Sequence, residues 1–241
     1  MTKGRIHSIE SMGLVDGPGI RSIVFIQGCH LRCSYCHNPD TWSTCGGKEV
    51  TPEEVVNKIK RFKSYFDKSG GGVTFSGGDP LIQPEFLLEC LKLCKEAGIH
   101  TTIDTAGYGE GNYDEILKYT DLVLLDIKQE DSKSYKELTG KDTKGINLFL
   151  DALRRSNSRV WVRHVVVPGI TDSEEHILKL AKIIKKEIPN VDKIELLPYH
   201  NIGAHKYESL GIPYRLSNIK PMDKNRCFEL QDLIRKETGI L

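Results

Sequence analysis

No apolar run in the 241-residue chain approaches the roughly 18 residues that a membrane-spanning helix needs. The first residues also lack the apolar core of a secretory leader. Charge of one sign is missing too. The 34 Lys and Arg nearly match the 33 Asp and Glu, a formal net charge of +1, which gives no support to nucleic-acid or other polyanion binding. There is no internal repeat, low-complexity tract or linker. An even cysteine count is also absent: there are seven, and three crowd one loop. That argues against a disulfide framework and for a reducing compartment, so the expected location is the cytoplasm. Hydrophobic residues at 39% and charged residues at 28% are ordinary for a water-soluble chain. The length suits one α/β barrel or two small domains, with a sizeable core.

What the chain does have is a concentration of thiols. Cys29-His30-Leu31-Arg32-Cys33-Ser34-Tyr35-Cys36-His37 sets three cysteines in a C-x3-C-x2-C spacing. Thiolates are soft donors that suit iron–sulfur clusters or zinc. A cubane cluster has four irons, so three thiolates leave one iron open to a small molecule, unlike a four-cysteine electron carrier. The apolar run Ile23–Ile26 and a turn at Gly28 precede the motif, placing the thiols on a loop at a strand's end. Arg32 either offsets the negative charge of such a cluster or is a solvated surface arginine. A zinc-stabilised binding module is the competing reading. Its weakness is a span far tighter than the paired knuckles of structural zinc sites. Cys90 and Cys94 repeat the C-x3-C spacing, but Leu87, Cys90, Leu91, Cys94 and Ala97 trace one apolar helix face. Cysteine there is a small hydrophobe, and Cys227 reads the same way beside Leu230 and Ile234. Cys45, well beyond Cys36 in the 42–47 loop, is set aside as a fourth ligand.

Strands and helices alternate about six times, the pattern of a parallel sheet with helices outside. The strands are read at 21–27, 73–76, 99–104, 122–128, 159–167 and 193–197. Asp16-Gly17 reads as a hairpin turn before the first of them. Thr51-Pro52-Glu53-Glu54 opens a helix with a capping box and Pro at its first position. Val55, Val56, Ile59, Phe62 and Phe66 continue it as one apolar stripe. A second helix runs from about Pro84 to Ala97, with Gly98 beyond its end. Further helices are expected near 145–155, after a second capping box at Thr171-x-x-Glu174, and at about 222–237. Chemistry-bearing residues gather just after strands, where parallel sheets and barrels place ligand sites. Gly77-Gly78-Asp79 follows the second strand; it is either a plain tight turn or a place where backbone approaches a ligand. Asp104 ends the third strand, and Asp126 and Lys128 share a face at the end of the fourth. They read as a structural ion pair or as a ligand site. Arg163 and His164 point to opposite sides of the fifth strand, and periodicity does not say which faces inward. His164 is set aside as a core histidine. His200 follows the sixth strand in a loop and is ambiguous.

C-x3-C-x2-C with the aromatic Tyr35 just before the last cysteine resembles the radical S-adenosylmethionine (SAM) enzymes. The similarity is closest to glycyl radical enzyme activating enzymes, the pyruvate formate-lyase activators in particular. It extends through Gly4-Arg5-Ile6-His7-Ser8, Asp16-Gly17-Pro18-Gly19-Ile20-Arg21, Tyr35-Cys36-His37-Asn38, Gly70-Gly71-Gly72-Val73-Thr74, Asp126-Ile127-Lys128-Gln129 and Leu196-Leu197-Pro198-Tyr199-His200, nearly the whole chain. The resemblance implies a partial (β/α)6 TIM-like barrel, open on one side. Residues 1–241 would form a single domain: 1–20 an N-terminal extension bordering the site, 21–200 the barrel core, and 201–241 a C-terminal loop and helix. It implies a [4Fe–4S] cluster on Cys29, Cys33 and Cys36, and SAM bound at its open iron. Reductive cleavage of SAM to a 5′-deoxyadenosyl radical would abstract hydrogen from a glycine of the partner, expected to be pyruvate formate-lyase. A flavodoxin or ferredoxin would donate the electron, and the chain would act as a monomer. Tyr35, Cys36, His37, Gly78, Asp79, Asp104, Asp126, Ile127, Lys128, Arg163 and His200 are the implied SAM contacts. Asp79 stands where the family has Glu, one methylene longer, which puts its direct contact in question. Asp16, Lys128 and His200 are the implied substrate-side residues. Asp104, Thr105, Asp126 and the Leu124 carbonyl resemble a monovalent-cation site. A radical SAM enzyme with a small-molecule substrate is the alternative.

Overall fold

The computed structural model describes residues 2–240. The six expected parallel strands are present: β2 (Arg21–Ile26), β4 (Gly72–Gly77), β5 (His100–Thr105), β6 (Leu122–Asp126), β7 (Arg159–Val166) and β8 (Val191–Pro198). Two more join them, β1 (Gly4–Gly13) and β3 (Lys48–Val50). The sheet order is β3-β1-β2-β4-β5-β6-β7-β8. β2 pairs parallel with β4, and each later strand with the next, while β1 runs antiparallel to both β2 and β3. β3 and β8 end the series without pairing to each other, so the sheet is open. This is a partial TIM-like barrel with an antiparallel flank. Residues 4–13 therefore belong to the sheet; only the turn beyond them was expected. Their burial is mostly partial or absent, and two register shifts interrupt the β1–β2 ladder, so a clean period of two is missing.

β6 is a nearly continuous apolar run buried on both faces: Val123, Leu124 and Leu125 have no exposure. It ends at Asp126, so Lys128 lies in the following loop. The helices are α1 (Pro52–Lys60), α2 (Lys63–Ser69), α3 (Pro84–Glu96), α4 (Tyr113–Lys118), α5 (Ser132–Thr139), α6 (Lys144–Arg155), α7 (Glu174–Glu187), α8 (Ala204–Ser209) and α9 (Lys224–Thr238). The Thr51–Glu54 capping box forms, with Thr51 Oγ1 accepting from Glu54 N and Glu54 Oε2 accepting from Thr51 N. The single helix expected beyond it is two. Arg61 and Phe62 close 3-10-type bonds to Lys58 and Ile59, and Phe62 leaves helical geometry at φ −102°, ψ 4°. The second expected capping box is also corrected. Ser173 caps α7, accepting from His176 N at 3.1 Å. Thr171 instead accepts from Val167 N at 2.7 Å and donates to Val165 O at 2.9 Å, so its hydroxyl is committed to the β7–α7 turn. Cys90 and Cys94 are fully buried on α3, and Cys227 is buried on α9. No helix among the described residues is long and apolar enough to cross a membrane.

Candidate active site

The C-terminal ends of the parallel strands surround a cavity of about 580 Å³. Cys29, Cys33 and Cys36 all line it, each a free thiol. Their loop is held by backbone bonds on both flanks: Gly28 N donates to Thr41 O, Asp79 N to Gly28 O, Arg32 N to Thr139 O and Ser34 N to Leu138 O. Gly78 is required by this packing. A Cβ there would stand 2.2 Å from the Gly28 carbonyl oxygen and 3.0 Å from Cys29 Cβ. Close approach between two backbones, more than ligand contact, explains the glycine.

Burial raises all three thiol pKa values; Cys33 is pushed up to about 12, with the nearby Lys128 charge opposing. Thiols so disfavoured as bare anions become thiolates readily on iron, whose positive charge replaces the lost hydration. Among the described residues no three His, Cys, Asp or Glu groups converge closely enough for a single metal ion. The three thiols line one cavity, a donor set that suits a cluster held by three soft ligands.

Of the other sequence candidates, Tyr35, His37, Gly78, Asp104, Thr105, Asp126, Lys128, Arg163 and His200 also line the cavity. Lys128 Nζ lies 2.7 Å from Asp126 Oδ2 and 5.5 Å from the centre of the Tyr35 ring. Burial disfavours its charge, but Asp126 and the surrounding acidic groups hold its pKa well above the ordinary lysine value. His37 and His200 stack, their ring centres 4.3 Å apart, and His37 Nε2 meets the His200 carbonyl at 3.0 Å. Arg163 faces the cavity and His164 the helix layer, which settles the orientation that periodicity left open. Arg163 reaches toward Asp104 at 4.0 Å and Glu195 at 3.4 Å, and donates to the Val15 carbonyl. Asp104 accepts from Ser76 Oγ at 2.8 Å; burial pushes it up to about 6, Arg163 opposing and Asp126 adding to the rise.

Four candidates sit elsewhere. Asp79 is 2% exposed and turns its carboxylate away from the cavity. It accepts from Thr105 Oγ1 (2.7 and 2.9 Å), Leu81 N (3.1 Å) and Ala106 N (3.0 Å), which ties the β4 and β5 ends together. The shorter side chain is thus a structural acceptor. Thr105 spends its hydroxyl on Asp79 while accepting from Gly107 N at 2.9 Å. Ile127 and Leu124 are buried apolar side chains. Asp16 lies in the β1–β2 turn, where its carbonyl accepts from Thr74 Oγ1 at 2.6 Å. Burial raises its carboxyl pKa against Arg163 and Arg21.

The sequence reading missed Ser76, Trp42 and Tyr199 as lining residues. Ser76 was detectable as a polar side chain in a buried strand. It also missed Tyr207, whose hydroxyl donates to the Cys36 carbonyl at 3.0 Å while its ring meets Trp42 edge-on.

The family model for the radical SAM superfamily matches residues 23–181, from β2 into α7. The chain is 63% identical over 236 residues to the pyruvate formate-lyase-activating enzyme of Clostridium pasteurianum, covering 98% of this chain and 99% of that one. It is 50% identical over 231 residues to the enzyme of the same name from Staphylococcus epidermidis, covering 92% of each. A radical SAM methyltransferase from Sphaerobacter thermophilus shares the fold: TM-score 0.66 at 15% identity, over 98% of this chain and 76% of that one. A barrel matched by the superfamily and a sequence matched almost end to end lead to one assignment: the chain belongs to the radical SAM superfamily and, within it, to the pyruvate formate-lyase-activating enzymes.

Proposed function

We propose that the chain activates pyruvate formate-lyase by generating a glycyl radical in it. One observation carries this reading: three free thiols, two carboxylates (Asp104, Asp126) and three cations (Lys128, Arg163, Lys224) share a cavity at the strand ends of an open sheet, in a chain 63% identical to an activating enzyme. Family membership implies a [4Fe–4S] cluster and SAM. Bound here, they supply one-electron cleavage of SAM and abstraction of a glycine hydrogen.

Cys29, Cys33 and Cys36 hold the cluster in this reading. Tyr35, His37, the Gly78 backbone, Asp104, Asp126, the Ile127 backbone, Lys128, Arg163 and His200 orient SAM. Asp104 and Asp126 crowd negative charge where the SAM ammonium or a monovalent cation would relieve it, with the Leu124 carbonyl as a further oxygen donor and Thr105, whose hydroxyl is already engaged by Asp79 and Gly107, at the margin of that set. Asp79 supports the loop from behind. Asp16, Lys128 and His200 border the path of the incoming glycine segment. The segment lies extended across the strand ends, and its backbone supplies most of the contacts, since glycine has no side chain to read. A flavodoxin or ferredoxin delivers the electron, and the chain works as a monomeric, cytoplasmic, single-domain enzyme.

The test is anaerobic incubation with a reductant, SAM and a peptide copying the partner's glycine loop, deuterated at the glycine α-carbon. Deuterium should appear in 5′-deoxyadenosine. If neither peptide nor intact partner transfers deuterium, and a free metabolite supplies the hydrogen instead, the small-molecule reading replaces this one.

A further inference from the structure

Behind the cavity wall, between β6, β7 and α7, three titratable groups that the proposed chemistry does not use form a line. His164 is 1% exposed, and its Nδ1 lies 2.6 Å from the Ile127 carbonyl oxygen. Its Nε2 is 3.0 Å from Nε2 of His176, which is 5% exposed. The rings stand 4.9 Å apart at 30°. Nδ1 of His176 is 2.8 Å from Glu130 Oε2, an ion-pair contact and not an aligned hydrogen bond. Lys128 and Asp126 face this line from the β6 end, and Lys179 of α7 and Asp131 of the loop face its outer end.

Proton counting orders the line. A carbonyl oxygen only accepts, so His164 carries its proton on Nδ1. Burial drives the His164 pKa down to about 3, so this ring is neutral and its Nε2 is a bare acceptor. His176 must then donate from Nε2. The remaining contact, His176 Nδ1 to Glu130, is attractive only if that pair holds one more proton between them. We infer that Glu130, His176 and His164 act as positioning residues. They fix the Ile127 carbonyl, and with it the backbone from which Lys128 enters the cavity.

The geometry gives the line something to hold. Ile127 N donates to the Arg163 carbonyl at 3.0 Å, the last rung between β6 and β7. Its own carbonyl lies beyond the strand and is taken by His164 alone among the described residues. Lys128, the next residue, reaches Asp126 and the Tyr35 ring. Outer-shell partners that orient metal-ligating side chains change affinity by about 10–100-fold when lost, and the low end of that range is the effect expected for a group that orients Lys128 through one backbone carbonyl. The role of Lys128 rests on the function proposed above, whereas the proton arrangement of the line does not.

Two arms test this. In the full chain with 15N-labelled histidine, long-range proton–nitrogen correlation should find His164 protonated on Nδ1 and His176 on Nε2. His164 protonated on Nε2 would overturn the inference. The second arm measures SAM affinity of the cluster-loaded protein in Glu130→Leu and Glu130→Gln. Leucine leaves His176 Nδ1 without a partner and should weaken SAM binding about tenfold. Glutamine can donate its amide to Nδ1 with no extra proton, and should recover most of that loss. Equal affinities in the two variants would overturn the positioning role. Should Glu130→Leu fail to fold, the tautomers and Glu130→Gln still decide. Absence of SAM binding in the unaltered protein would sink the proposed function and leave the tautomer result standing.

Discussion

Lengthening Asp79 to glutamate should damage this protein. Asp79 is 2% exposed, and its carboxylate accepts from Thr105 Oγ1, Leu81 N and Ala106 N. Glutamate at that position adds a methylene to a filled space, an overpacking cost of about 1–3 kcal/mol. It also moves the oxygens off two buried backbone N–H groups, and each such group left unsatisfied costs about 1–3 kcal/mol. Some relaxation will recover part of this, so Asp79→Glu should destabilise by about 2–5 kcal/mol, a large share of the ~5–15 kcal/mol of a typical protein. For a chain of this size that lowers Tm by about 4–20 °C. Thermal and urea unfolding of the purified chain, followed by circular dichroism, reads it directly. Asp79→Ala, which keeps the space and loses all three acceptor contacts, should fall in the same range. If Asp79→Glu unfolds at the wild-type midpoint and binds SAM more tightly, the carboxylate is not committed to Thr105 and the loop, and the reasoning fails.

Three further outcomes follow from the site. Cys29→Ala, Cys33→Ala and Cys36→Ala should each lose SAM cleavage and most bound iron by metal analysis, while Cys90→Ala and Cys94→Ala keep both and lose only about 1–2 kcal/mol of stability. Asp104→Asn should weaken SAM cleavage and blunt its response to potassium or sodium, because an amide holds a cation less well than a carboxylate; a wild-type protein indifferent to both ions refutes the cation site. Tyr207→Phe removes the hydroxyl on the Cys36 carbonyl, so it should lower iron retention under chelator challenge with about 1 kcal/mol lost in unfolding; retention equal to wild type would make that bond incidental.

Local signals were legible where one stretch of chain settles the outcome. The three thiols are contiguous, β6 is an unbroken apolar run, and the Thr51 capping box closes within four residues. Signals that needed a distant partner were not. Thr171 and Ser173 are equally good caps by chemistry; Val165 and Val167 claim the first, so the second caps α7. Asp79 follows a glycine pair at a strand end, as a ligand-binding carboxylate would. Its orientation is decided by Thr105 on another strand, 26 residues away. The break between α1 and α2 leaves no Pro or Gly in the sequence. His164 was recognisable as a core histidine, yet its partner His176 lies on a helix that strand periodicity does not register.

These long-range contacts bear on how the site can work. The cysteine loop is tied to the 3-10 turn at residues 39–42 through Thr41 and Trp42, to the end of β4 through Asp79, to α5 through Leu138 and Thr139, and to the C-terminal segment through Tyr207 and Arg215. Much of the ordering cost of that loop is therefore met when the chain folds, and loading the cluster need not supply it. A radical that abstracts hydrogen does so from whatever lies nearest, so selectivity depends on where SAM and the glycine are held. Thiols fixed by four separate elements, and a lysine fixed from behind by a buried histidine pair, meet that demand with groups that never touch the reacting atoms.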